Sequence, residues 1–182
     1  MDVIIAERGF RFQVEGLDES VGGRSAAGSP EFGSQQAHVE DALRRIPTGH
    51  LVAIPLNIIV GDRPSSGGAF VASPPAIGLN RGTFAASWNR RYLFTLIHEI
   101  GHAVDRHFRI VSRLIRATER SGADWNSYRA IEYRGRNRIR SGPDAGTPAY
   151  GEHFAEGYAH LLTRPHRLTR AQQSLIRRLA RM

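Results

Sequence analysis

The sequence predicts an α+β fold: a small mixed or antiparallel sheet packed on one long helix, followed by a helical C-terminal half. Three observations predict it. Short runs rich in Val, Ile and Phe, separated by Gly, Pro and Ser, all lie before Arg81, a strand composition bounded by turn residues. The run from Arg91 to Ile97 is apolar, free of Gly and Pro, and sets Leu93, Leu96, Ile97 and Ile100 at helical spacing. After Gly151 two further helical patterns meet at Pro165, a residue that breaks a helix.

Val3-Ile4-Ile5 and Phe10-Arg11-Phe12-Gln13-Val14 alternate as a strand pair. Residues 16–34 are rich in Gly, Ser and acids and read as a linker, and Gly28-Ser29-Pro30-Glu31-Phe32 coincides with a common vector-derived junction. Residues 1–34 are therefore set apart as a strand pair with a flexible lead, and residues 35–182 as the functional domain. Gln35 to Ile46 reads as an amphipathic helix with Val39, Ala42, Leu43 and Ile46 on one side, stopped by Pro47-Thr48-Gly49. Leu51 to Val60 is a β-rich run interrupted at Pro55, its second half a core strand closed by Gly61-Asp62. Ala69–Ala72 and Ala76–Leu79 are short strands around Pro74-Pro75, and proline places them at a sheet edge. Trp88 to about Ile115 is a long helix with a possible break after Phe108. A turn at Ser121-Gly122, a helical candidate with an Arg-rich loop over 123–140, and a loop over 141–148 lead to a helix over 151–163. Leu168 to Met182 forms the last helix, with Thr169 as its N-cap and Leu175, Ile176 and Leu179 as its apolar side.

The long helix carries His98-Glu99-Ile100-Gly101-His102. Residues four apart share a helix face. Two imidazoles can therefore point at one metal ion, with Glu99 in reach of a water beside it, which is the part set of a zinc hydrolase. Two unrelated histidines on a helix face would give the same pattern. Gly101 costs a helix about 1 kcal/mol relative to Ala. Its place between the imidazoles implies close approach by substrate, or by a neighbouring backbone at a tight helix crossing. A catalytic zinc site needs a third protein ligand. In the metzincin spacing H-E-x-x-H-x-x-G-x-x-H/D the Gly position is Asp105 and the ligand position Phe108, with His107 out of register, so that class is excluded. A gluzincin instead draws a Glu from a later helix. Glu152 and Glu156 stand one turn apart there, and from the residues alone either can be the ligand. In zinc peptidases an edge strand beside the metal pairs with extended substrate, the role expected of residues 69–80; an ordinary surface hairpin is the plain alternative. Asp105 shares the helix side of His102 and is expected to steady it, or to pair with Arg106 or Arg109 at the surface. His107, His153, His160 and His166 read as structural or exposed, and His38 and His50 carry no signal.

The segment His98-Glu99-Ile100-Gly101-His102-Ala103-Val104-Asp105 resembles the H-E-x-G-H-A-V-D signature of anthrax lethal factor-like metallopeptidases, a broad group that includes bacterial Pro-Pro endopeptidases. Glu152-His153-Phe154-Ala155-Glu156 resembles the E-x-F-A-E of that group's downstream helix. The resemblance spans roughly residues 45–165 and rests on these two motifs. It implies a zincin-like metallopeptidase domain whose helical C-terminal half carries the third ligand. His98, His102 and Glu152 would bind Zn2+, Glu99 would act as general base, and Glu156 would support the site from the next turn. The group's oxyanion Tyr, two turns before the ligand Glu, falls on Ala145 here, so Tyr150 is the substitute, with Tyr158 behind it. Gly146-Thr147-Pro148-Ala149-Tyr150-Gly151 also faintly resembles the G-T-x-D-x-x-Y-G of aspzincins, but the Asp is missing and Asp144 lies outside the motif.

A chain of 182 residues is enough for one domain with a sizeable core. It has no apolar run of the ~20 residues that span a membrane, and no signal peptide is visible. It has no Cys, so a metal must be held by His and carboxylate. All 25 basic residues are Arg, and the formal net charge is +8. A GC-rich genome accounts for the absence of Lys; a translocated toxin, which gains by lacking ubiquitin acceptors, is the sharper reading. One Arg cluster lies between Arg113 and Arg140 and a second between Arg164 and Arg181. Such runs are solvated faces, or docking sites for an acidic partner or chaperone; nucleic acid is disfavoured. The expectation is a monomeric zinc endopeptidase acting on protein or peptide, a bacterial toxin or effector secreted or translocated by a route without an N-terminal signal. The alternative is a catalytically inactive, zincin-like basic binding module.

Overall fold

The computed structural model describes residues 2–17, 35–61, 68–81, 91–111 and 150–182. Strands β1 (Val3–Glu7) and β2 (Phe10–Glu15) are followed by α1 (Gln35–Arg45), a 3-10 turn at Thr48–Ala53, and strands β3 (Asn57–Gly61), β4 (Gly68–Ala72) and β5 (Pro75–Asn80). Helices α2 (Arg91–Phe108) and α3 (Tyr150–Thr163), a 3-10 turn at Pro165–Arg167 and α4 (Arg170–Ala180) complete the α+β fold. The sheet is mixed, in the order β1-β2-β3-β5-β4. Its three inner strands run parallel, and β1 and β4 flank them antiparallel.

Alternation sets the inner face. Val3, Val14, Ile58, Ile77 and Phe70 align as one row across all five strands, because residues paired across strands share a face. Against this face lie Leu93, Leu96, Ile97 and Ile100 of α2, all buried as their spacing predicts, with Val104 extending the stripe. Each such side chain contributes about 1.5–3 kcal/mol on leaving water. Val39, Ala42, Leu43 and Ile46 close the core from the α1 side, and Phe154, Tyr158 and Ala159 from α3.

The first hairpin turns at Arg8 and Gly9, with φ of 47° and 86°, a left-handed pair suited to a tight β-turn. Arg8 offsets the strain by donating to the carbonyls of Leu43 (2.8 Å) and Ile46 (2.6 Å) at the end of α1. The carbonyls of a last helical turn lack i+4 donors, and the Leu43 carbonyl accepts the Ile46 N–H (3.1 Å) as well. The expected strand pair thus belongs to the common sheet: β2 pairs with β3, and Phe12 and Val14 are fully buried in the shared core. The segmentation at residue 34 divides the chain but not the core.

Two expectations are corrected. Leu51–Ala53 is 3-10 helix rather than strand. The His50 N–H donates to Pro47 (2.8 Å) and the Ile54 N–H to Leu51 (3.2 Å), closing turns between two prolines. The other concerns residues 69–80, of which only β4 is an outer strand; β5 lies between β3 and β4. Pro75 is the first residue of β5 and Pro74 sits in the hairpin turn, so neither removes a donor from the middle of the ladder.

Helix α2 ends at Phe108, and Arg109 adopts φ 52° before helical conformation resumes at Ile110. Thr169 caps α4 through a reciprocal pair of bonds with Gln172, satisfying otherwise orphaned donors. No described helix is long and apolar enough to cross a membrane. The linker over 18–34, the first Arg cluster, Ala145, Asp144 and the loop over 141–148 lie outside the described residues.

Candidate metal centre

The site is built where α2 and α3 cross. At the crossing Gly101 faces Ala155, and a Cβ at 101 would stand 2.8 Å from the Ala155 Cα. Of the two readings of Gly101, the neighbouring backbone is therefore the observed one. This approach brings the Glu152 carboxylate over the two imidazoles. Nε2 of His98 lies 3.2 Å from Nε2 of His102 and 3.3 Å from Oε2 of Glu152, and the third edge, His102 to Glu152, is 3.5 Å. Donors about 2.0–2.1 Å from a tetrahedral ion stand about 3.3–3.4 Å apart. The three residues thus form one group able to hold a metal ion, with His98 buried and His102 and Glu152 partly open to solvent.

The charges agree with that geometry. Burial disfavours a charge on His98, but Glu152 and Glu156 outweigh it and raise its pKa to about 9. Burial likewise opposes ionisation of Glu152, yet His102 and His98 hold its pKa well below the carboxylate range. Glu156 sits one turn further along α3, with one oxygen 3.3 Å from Nδ1 of His98 and the other 3.5 Å from Nε2 of His160. Burial works against its charge too, but the contacts with His160 and His98 bring its pKa down to about 2.

Glu99 is buried and packs against β4, beside Gly68. Its carboxylate accepts the backbone N–H of Phe70. Burial is the largest cause raising its pKa, partly opposed by His98 and His102.

The other expected residues are placed as follows. Asp105 Oδ1 accepts the Val111 N–H at 2.7 Å, which fastens the chain after the α2 break. Its Oδ2 and Nδ1 of His102 both face Gly151, 3.6 and 4.0 Å from where a Cβ there would stand. Tyr150 opens α3, and its side chain lies outside the described residues. Tyr158 is not at the site. It is fully buried, and its hydroxyl bonds Nδ1 of His50 at 2.8 Å while Nε2 of His50 bonds the Ala180 carbonyl at 2.7 Å. Two residues that the sequence reading did not select do touch the site. They are His160, through Glu156, and Phe94, whose ring lies 6.5 Å from that of His98 and 4.8 Å from that of His160. A signal was present: Glu152, Glu156 and His160 repeat at four-residue intervals, and Phe94 lies four residues before His98.

No family model, curated protein or solved structure matches this chain. The likeness to lethal factor-like metallopeptidases rests on the two short motifs.

Proposed function

We propose that this chain is a zinc-dependent endopeptidase in which His98, His102 and Glu152 hold the ion and Glu99 is the general base. The triangle of donors with edges of 3.2, 3.3 and 3.5 Å carries the reading. Two imidazoles and a carboxylate form a donor set that zinc accepts. When bound, zinc polarises a carbonyl and lowers the pKa of an adjacent water to about 7. Glu99 takes the proton of the attacking water and returns it to the leaving amine. Burial, which raises its pKa, suits a group that must both accept and donate near neutrality. The Phe70 N–H orients that carboxylate beside β4, one of the two outer strands among those described. An extended peptide pairing with β4 as a sixth strand would pass next to Glu99. Tyr150 is the candidate for steadying the developing oxyanion. The motif resemblance supports a bacterial toxin or effector, secreted or translocated, acting on protein.

One observation favours the second reading, a catalytically silent basic module. Arg167, Arg170, Arg177, Arg178 and Arg181 are all exposed at the C-terminal end, where residues 157–182 contain no acid. Glu99→Gln separates the two. The endopeptidase reading expects peptide-library cleavage to fall at least a hundredfold, by the usual size of acid–base contributions of about 10²–10⁴, with zinc content unchanged. An intact protein that binds zinc and cleaves nothing would favour the module.

A further inference from the structure

His160 has no part in the donor triangle, yet it closes a line of side chains that begins there. His98, Glu156 and His160 are in series: Nδ1 of His98 is 3.3 Å from Glu156 Oε2, and Nε2 of His160 is 3.5 Å from Glu156 Oε1. We infer that His160 is a positioning residue of the metal centre, holding one oxygen of Glu156 so that the other stays on Nδ1 of His98 and the lone pair on His98 Nε2 points at the ion. This inference rests on the metal-centre reading above.

Of the two nitrogens of His160, Nε2 is the one that faces the Glu156 carboxylate, at 3.5 Å, so in this arrangement the proton of a neutral His160 sits there. Glutamate has three rotatable side-chain bonds, and among the described residues only the His98 contact would otherwise hold this one. Residues 156 and 160 lie one turn apart on α3, so the helix itself fixes the anchor relative to the carboxylate. The Phe94 ring packs edge-on against His160 and tilted against His98, an apolar wall that limits competition from water along the series. Groups that hold a ligating histidine in this way typically contribute 10–100-fold to metal affinity.

Three substitutions test it. The amide nitrogen of Gln reaches about as far as the imidazole Nε2, whereas that of Asn stops near Nδ1, and Leu has no donor. Zinc affinity, measured by competition with a chelator, should be unchanged within about threefold in His160→Gln and lower by about 10–100-fold in His160→Asn and His160→Leu. With Co2+ in place of zinc, the visible spectrum should match the parent in His160→Gln and shift in His160→Asn. A merely structural histidine would change the melting temperature without separating Gln from Asn. Should His160→Leu fail to fold, the Gln and Asn pair decides. Equal zinc affinity in those two, in a protein that loses zinc on His98→Ala, overturns the positioning role and leaves the metal centre standing. If the unsubstituted protein binds no zinc, the metal-centre reading falls first and this inference with it.

Discussion

Gly68 backs onto Glu99. A Cβ at position 68 would lie 2.9 Å from the Glu99 Cγ, 3.1 Å from its Oε1 and 3.1 Å from the Thr95 methyl carbon. Strand β4 therefore approaches Glu99, the proposed general base, this closely only because residue 68 has no side chain. In Gly68→Ala the carboxylate must move, while the ligands are untouched. We expect kcat on a cleaved peptide to fall about tenfold or more, since small misplacements of a catalytic group carry large rate costs, with zinc content preserved. Unchanged kcat would show that Glu99 can shift without consequence.

Gly101 makes the same kind of demand on the other side of α2. Adding a methyl group there forces the α2–α3 crossing apart. Overpacking of this kind costs about 1–3 kcal/mol, and the displacement falls on the helix that supplies Glu152. Gly101→Ala should lower both the melting temperature and zinc affinity, the latter by at least about tenfold. Loss of stability with full zinc affinity would mean that the crossing does not set the Glu152 position.

Zinc binding should be steeply pH-dependent. Despite its burial, His98 is held protonated up to about pH 9 by Glu152 and Glu156 in the metal-free site. A ligating imidazole must be neutral, so binding expels that proton at every pH below this value. Affinity should rise roughly tenfold per pH unit through neutrality and level off above about 9. Chelator competition across that range checks it, and a flat profile at neutral pH would contradict it.

The buried His50–Tyr158 pair should matter for stability alone. The Ala180 carbonyl can only accept, so Nε2 of His50 carries the proton and Nδ1 accepts from the Tyr158 hydroxyl. Tyr158→Phe leaves that acceptor unsatisfied, at a cost of about 1–3 kcal/mol in denaturant titrations, with zinc affinity unchanged. Burial, partly offset by the Ala180 carbonyl, lowers the His50 pKa below 6.5. The unfolded chain thus takes up this proton first on acidification. The associated stability is present above pH 6.5 and is lost as pH falls through the folded-state value. A zinc affinity that dropped with Tyr158→Phe would place this pair in the metal site after all.

Local chemistry made part of this legible in the sequence. The four-residue spacing of His98 and His102, the alternation in β1 and β2, and Thr169 with Gln172 three residues later all act within one turn or one strand. Periodicity names the face of an element but not the neighbour that meets it. Spacing alone therefore leaves Glu152 and Glu156 equivalent; the motif resemblance favours Glu152, and the crossing at Gly101 and Ala155 brings Glu152 into the group with His98 and His102. Tyr158 lies in the core and not at the site, as its four-residue spacing from Phe154 already implies. His160 reads in the sequence as structural or exposed, because its contact is with Glu156 and not with the metal-binding group itself. The 3-10 turn at Thr48–Ala53 was hidden by β-favouring side chains, while Pro47 and Pro55 determined the backbone.

The pairing of Gln13, Val14 and Glu15 with Asn57, Ile58 and Ile59 has a practical side. A truncation starting at Gln35 would keep every metal-site residue but strip two strands from the sheet. It would leave β3 as an open edge with unpaired backbone groups, and uncover Ile58 and Val60 beside it. Such an edge recruits other chains. The short N-terminal hairpin thus covers that edge and shares the core with the metal-site helices, so residues 35–182 are not a separable part.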